Sequence, residues 1–229
     1  MTTLKTGTMT CDANVIIEAA LYIMSKRKLA GRGYACARIL SRTHRLKLPQ
    51  VALGEALAGV DDAQKAVVLT YAARHKHIKL SELAIAQGLK LRASLRKGRK
   101  SRKDCVIYAQ AALAGSVLHI SDDSGMSGED NQFIIPARYH RLFGGNAPKI
   151  LSAPKAITMG NPLRFEDDPE VKASKAVRAQ VRQIKLRAEA RARAAGARSE
   201  MDVVYFYANT AQKHLELHAK NQRKSRGKL

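Results

Sequence analysis

Hydrophobic positions along the chain switch between a helical period and short apolar runs, and the switches mark an alternation of helices and strands. Met9-Thr10-Cys11 is a weakly apolar first strand. From Val15 to Met24 the period is helical, with Ile16, Ile17, Ala20 and Ile23 inward. Arg32 to Arg45 is a second helix, with Ala35, Ile39 and Leu40 apolar among basic residues. Leu46 to Leu53 reads as the second strand, and Glu55 follows in the next helix. At Val60-Asp61-Asp62-Ala63-Gln64 a helix starts, Asp61 capping and Gln64 reaching back in a capping box. Ile78-Lys79-Leu80 is a short strand, and Ser81 caps the helix after it. Lys103 to Gly115 is helical, with Asp104 at its opening and the glycine at its stop; Ser116 to Ile120 is a buried strand that runs into Asp122-Asp123.

Asn131 to Ile135 reads as a last short strand, and Pro136 to Pro162 as an irregular connector around Gly144-Gly145-Asn146. Asp168-Pro169-Glu170 carries a helix-start signature. Val177, Val181, Ile184 and Ala188 then mark one narrow apolar face on a basic helix, and Gly196 breaks it. Ser199-Glu200-Met201-Asp202 opens a second helix with Val204, Tyr205, Ala208, Ala211 and Leu215 inward, and the tail from Lys220 to Leu229 is expected to fray. The organisation expected is an α/β domain over residues 1–135, a connector over 136–167 and a basic helical hairpin over 168–229.

Charge narrows the partner. Forty-one Lys and Arg against 19 Asp and Glu leave a formal net charge of +22, far beyond what solubility needs. Such an excess implies a polyanion, nucleic acid first. No apolar run approaches the roughly 18 residues of a membrane span. The N-terminus lacks an apolar signal core, so a cytoplasmic protein is expected. Cys11, Cys36 and Cys105 are too separated for a disulfide set or Cys-x-x-Cys zinc site and read as small buried thiols. With no Trp and few aromatic residues, binding through exposed stacking rings is disfavoured. No Gly-x-Ser-x-Gly and no phosphate-cradling glycine loop occur, which removes serine hydrolases and NTPases.

The acids carry the remaining signal. Asp12 and Asp104 sit where plain helix caps would sit, and Asp122-Asp123 where a turn would start. In an open α/β sheet, however, ligands bind beyond the carboxyl ends of the strands, and these acids lie at such ends. Carboxylates packed together repel one another unless a cation sits among them. Glu18 and Glu82 are read as solvated. The cationic run Arg96, Lys97, Arg99, Lys100, Arg102 and Lys103 leads directly into Asp104, as a phosphate-bearing substrate would require.

The ordered motifs Asp12-Ala13-Asn14-Val15-Ile16, Gln50-Val51-Ala52-Leu53-Gly54-Glu55, Lys103-Asp104-Cys105-Val106-Ile107-Tyr108-Ala109 and Ile120-Ser121-Asp122-Asp123 resemble those of the PIN-domain family of metal-dependent ribonucleases, especially its toxin-type members, over about residues 8–135. The resemblance implies a three-layer α/β/α fold with a mainly parallel central sheet. It also implies Mg²⁺ or Mn²⁺ held directly by Asp12 and Asp104. Glu55 would serve a second metal or a metal-bound water, and Asp122 or Asp123 would complete the ring. Asn14 and Ser121 would orient ligands or water. The implied activity is hydrolysis of RNA by a metal-activated water, leaving a 5′-phosphate and a 3′-hydroxyl. The settings implied are the toxin of a toxin–antitoxin pair, with a protein antitoxin or inhibitor as partner, or an RNA-processing nuclease; a homodimer is expected. The first strand is less apolar than the family's usual one. Two other readings stay open: an RNA-binding or ribosome-associated protein that keeps the fold without catalysis, and a coat protein of a nucleoprotein particle.

Overall fold

A computed structural model describes residues 7–25, 31–42, 45–95, 101–122, 126, 130–158 and 175–226. The first strand, β1 (Thr8–Cys11), is short and only partly apolar, yet it occupies the centre of a five-stranded sheet. Its neighbours are β2 (Leu46–Pro49) on one side and β4 (Ser116–Ile120) on the other, with β3 (Lys76–Ile78) and β5 (Lys149–Leu151) at the edges, in the order β3-β2-β1-β4-β5. Every pairing is parallel. A parallel sheet needs a crossover between successive strands, and helices supply these here. They are α1 (Ala13–Met24), α2 (Gly31–Arg42), α3 (Gln50–Gly59), α4 (Asp62–Ala72), α5 (Glu82–Ser94), α6 (Arg102–Leu113) and α7 (Asn131–Phe143), with α8 (Ala153–Thr158) after β5. Two long helices, α9 (Lys175–Ala194) and α10 (Glu200–Arg226), complete the chain.

Both faces of the sheet are covered, and β4 shows how. Leu118 and Ile120 point into the larger apolar cluster. His119, one residue out of phase, lies edge-on to the Tyr108 ring at 5.9 Å and within 3.0 Å of the Thr10 hydroxyl. Tyr108 belongs to a smaller cluster with Leu91, Cys105, Ile135, Tyr139 and Ile150.

Local signals explain most helix starts. Asp61 and Gln64 form the expected capping box, and Ser81 accepts the Ala84 N–H. At α6 the cap is Ser101, whose hydroxyl accepts the N–H of Asp104; Asp104 therefore sits inside the first turn and does not open the helix. Four expectations fail. The second strand ends at Pro49, because Val51-Ala52-Leu53 belongs to α3, a helix buried on all sides whose apolar run carries no helical period. Asn131 to Ile135 is helix, not strand: Ile135 and Tyr139 share one face at i, i+4 spacing, and Pro136 lies inside α7, in its second turn. The stretch read as an irregular connector contains most of α7, β5 and α8. The tail read as frayed is helical to Arg226, and Asp168-Pro169-Glu170 lies outside the described residues.

The C-terminal helices share the main core. Val181, Ile184, Ala188, Val204, Tyr207 and Ala211 belong to the same apolar cluster as the sheet. Close approach is set by two glycines of α3. A Cβ on Gly54 would stand 1.7 Å from the Tyr207 carbonyl oxygen, and one on Gly59 would stand 2.2 Å from that of Ile184. Gly54→Ala should therefore cost about 1–3 kcal/mol through overpacking against backbone, whereas Gly145→Ala, in open space, should change stability by less than about 0.5 kcal/mol, both read from urea unfolding midpoints.

His119 supplies a pH prediction. Burial pushes its pKa down from 6.5 to about 4, with Asp104 opposing weakly. The unfolded chain takes up this proton below about pH 6.5 while the folded chain refuses it until about pH 4. Stability from this group is thus complete above pH 6.5 and falls by about 3 kcal/mol as the pH drops to 4. Denaturation curves across that window should show the loss, and His119→Asn should flatten it.

Candidate active site at the carboxyl edge of the sheet

Parallel strands bring their C-terminal ends to one edge, and the chain leaves that edge at Asp12 and Ser121. Asp12 follows β1. Its N–H donates to the Ile120 carbonyl at 3.0 Å, extending the β1–β4 ladder by one bond. One carboxylate oxygen accepts the Val15 N–H at 3.2 Å, capping α1, and the other accepts the Ser121 hydroxyl. Asp12 is therefore a cap as well as a member of the edge, with both oxygens oriented. Ser121 is itself fixed by its N–H donating to the Leu151 carbonyl at 2.9 Å. Asn14, in the first turn of α1, is buried, and its side-chain oxygen has no hydrogen-bond partner among the described residues.

Glu55 and Asp104 reach the same edge from helices. α3 leaves the end of β2 and carries Glu55 in its second turn. α6 runs back across the sheet to enter β4, so its N-terminal turn, with Lys103 and Asp104, lies at the carboxyl edge. The Glu55 carboxylate is 1 % exposed. Lys103 Nζ donates to it at 2.5 Å, and Lys185 Nζ of α9 lies at 3.9 Å from the same oxygen. Burial pulls the Lys103 ammonium down, but the charges of Glu55 and Asp104 more than offset this and hold it well above the usual lysine range. Lys185 is raised against the same desolvation by Glu55, an effect the neighbouring Lys103 charge opposes, and further by Asp104 and Asp12. One ammonium thus senses the acids that arrive from β1, α3 and α6.

Asp122 joins a different network. Its carboxylate accepts the Ala153 N–H at 3.0 Å and the Cys36 thiol at 3.1 Å, and lies 3.4 Å from Arg32 Nε. Arg32 also donates to the Asp122 carbonyl at 2.8 Å and forks onto Glu18 at 2.9 and 2.5 Å. Glu18, read from the sequence as solvated, is buried: it stands one turn beyond Asn14 on the same face of α1 and meets Arg32 from α2. Burial pushes its carboxyl upward against the pull of Arg32. Burial also raises the thiols of Cys11 and Cys36, so neither is a ready nucleophile. Glu82 is exposed as expected.

Asp123 and the basic residues Arg96, Lys97, Arg99 and Lys100 lie outside the described residues. Arg102 is exposed, with its N–H 2.5 Å from Glu200 at the start of α10. Lys103, expected on a substrate-facing loop, instead turns inward onto Glu55. The reading missed Lys185, which nothing local separates from the other basic residues of α9. It also passed over His214 and His218, an i, i+4 pair on α10; among the described residues no third ligand joins them, and Gln222 bonds His218 at 3.0 Å.

The donors at the edge are carboxylate oxygens, the type that Mg²⁺ and Mn²⁺ select. They are not drawn together: among the described residues, Glu18, Cys36 and Asp122 have ligand atoms within 4.8 Å of one another, and Asp12, Glu55 and Asp104 do not form such a set. The tighter set already has Arg32 as its cation and includes a thiol, a poor donor for either ion. Scans against family models and curated proteins return no match.

Breaking the Glu55–Lys103 pair from one side leaves a charge in the interior. Lys103→Met should cost about 3–5 kcal/mol, and the double variant Glu55→Gln, Lys103→Met should recover much of that, as measured by a double-mutant cycle in urea.

Proposed function

We propose that this protein is a divalent-metal-dependent endoribonuclease of the PIN type, with a toxin of a toxin–antitoxin pair or an RNA-processing nuclease as its setting. The observation that carries the reading is that Asp12, bonded by Ser121, and the Glu55–Lys103 pair beside Asp104 come to the carboxyl edge of a five-stranded parallel sheet. The five-stranded parallel sheet is consistent with the three-layer α/β/α fold that the resemblance implies. A net charge of +22 supports a polyanionic substrate.

The resemblance would have Asp12 and Asp104 hold the principal cation and Glu55 a second cation or its water, roles for which the three carboxylates would have to draw closer than they stand here. When bound, Mg²⁺ or Mn²⁺ supplies activation of water and relief of charge on the phosphate oxygens. The chain's own residues do the positioning. Ser121 fixes one oxygen of Asp12 and the α1 N-terminus the other, so the carboxylate is oriented before a ligand arrives. Asn14, two residues on, carries a buried amide oxygen without a hydrogen-bond partner among the described residues. Asp122 acts from outside, tying β4 to α2 and α8 through Arg32, Cys36 and Ala153. Lys103 neutralises Glu55.

A second reading, an RNA-binding protein that keeps the fold without catalysis, is favoured by one observation: the Glu55 carboxylate already has an ammonium 2.5 Å away. Incubating the protein with structured RNA separates the two. The nuclease reading expects cleavage with Mn²⁺ and none with a chelator, and a loss of at least about a hundredfold in Asp104→Asn, since even a residue supporting a metal ligand is worth ~10–100-fold. Salt-sensitive binding without cleavage would establish the second reading.

A further inference from the structure

α9 carries seven basic residues and a single acid, Glu189, and they do not all serve the same end. Val181, Ile184, Ala188 and Ala192 hold one face of the helix in the main core. Around that face, three basic residues are used inside the protein. Arg191 donates to the Ala58 carbonyl at 2.6 Å and to the Val60 carbonyl at 3.4 Å, tying α9 to the end of α3. Arg193 donates to the Ala197 carbonyl at 3.1 Å and lies 3.5 Å from Glu189. Lys185 Nζ lies 3.9 Å from Glu55.

Arg178 and Arg182 are placed differently. Both are exposed, and with Lys185 they occupy positions i, i+4 and i+7, one face of the helix over about 10 Å. Lys185 fixes where that face starts, because its ammonium stands beside Glu55 on α3. The arginines continue from there along α9, one and two turns towards its N-terminus. Glu189, the acid of the same face, lies one turn beyond Lys185 in the other direction and is met by Arg193. Like charges four residues apart on a helix repel one another. On α4 an opposite charge relieves exposed Asp62, where Lys65 pairs with it at 2.9 Å. Among the described residues no carboxylate lies within ion-pair distance of Arg182. Planar guanidiniums in a row of one sign, at the edge of a sheet, are complementary to a chain of phosphates.

We infer that the Arg178–Arg182 face of α9 binds the sugar–phosphate backbone of RNA and leads it to the carboxyl edge of the sheet at Glu55. The basic run before α6 was expected to do this, yet Lys103 of that run turns inward onto Glu55 and Arg102 lies 3.8 Å from Glu200. Phosphate contacts fix position and carry no sequence information, so RNAs of unrelated sequence should bind this face alike. The inference rests on RNA as the ligand, which both readings of the function share, and not on cleavage.

Fluorescence anisotropy of the full chain with a short labelled single-stranded RNA tests this, in chelator so that no cleavage intervenes and across a range of salt. The double variant Arg178→Gln, Arg182→Gln should bind about tenfold more weakly at about 0.15 M salt, and its plot of log affinity against log salt should be shallower by about 1.4, the release of two counterions from a single strand. The double variant Arg141→Gln, Arg187→Gln removes the same charge from exposed positions on α7 and on another face of α9, and should change affinity less than about twofold. Both variants should keep the urea midpoint, since the positions are exposed and Gln is a good helix former. Equal weakening in the two doubles reduces the effect to net charge and overturns the inference, as does weakening in neither. Vesicles of phosphatidylserine and phosphatidylcholine are the second probe: binding to them that needs Arg178 and Arg182, with RNA affinity unaffected, overturns it in favour of an anionic lipid surface. Mn²⁺-dependent cleavage by Arg178→Gln, Arg182→Gln at an unaltered KM sinks the inference and leaves the nuclease reading standing. The expected loss of RNA affinity in a protein that never cleaves leaves the inference standing and removes the nuclease reading.

Discussion

A carboxylate with almost no access to water must be paired, and Glu55 imposes that constraint on the site. It sits on α3, a helix buried on every side between the sheet and the two C-terminal helices. Desolvating its charge is tolerable only because Lys103 meets it directly and Lys185 approaches from α9. Those partners come from separate parts of the chain, so the pairing ties α6, α3 and α9 into one arrangement. The glycines of α3 make the approach possible by letting the backbones of α9 and α10 come within contact distance.

Adjacent residues at the end of β4 divide the acids into two networks. Ser121 bonds to Asp12, whereas Asp122 bonds to Cys36, Arg32 and the Ala153 N–H. Successive side chains leaving a strand point to opposite sides, and this alternation separates an edge that could receive a ligand from an interior tie. The Arg32 guanidinium is shared by Glu18 and Asp122, and burial with the neighbouring Asp122 charge pushes the Glu18 carboxyl up to about 7. The Glu55 side is paired by lysines, Lys103 directly and Lys185 at longer range.

Much of the local structure was readable from residue order. The capping box at Asp61 and Gln64, the cap at Ser81, the stop at Gly115 and the strand from Ser116 to Ile120 depend on chemistry within a few residues. The errors fell where burial removes periodicity or where a turn was not recognised. α3 is apolar throughout, so a strand and a buried helix look alike at its start. Asn131 to Ile135 is too short to show its helical period without Tyr139 and Phe143. At the site, the acids of the edge were visible as ordered motifs; Glu18 was misread because its partner Arg32 is on another helix, and Lys185 was missed because it resembles every other basic residue on α9.

By itself, the sequence determined the helix boundaries set by caps and glycines, the buried-strand character of Ser116 to Ile120, the excess of positive charge and the spacing of the acids. Each follows from contacts a few residues apart or from composition, which folding cannot alter. Only the tertiary structure decided that Lys103 faces inward, that Asp122 is bound to Arg32 and that α9 and α10 are built into the core on α3. The reason is that each of these depends on which distant group is near enough to satisfy a buried charge, and that distance exists only once the sheet and helices have packed.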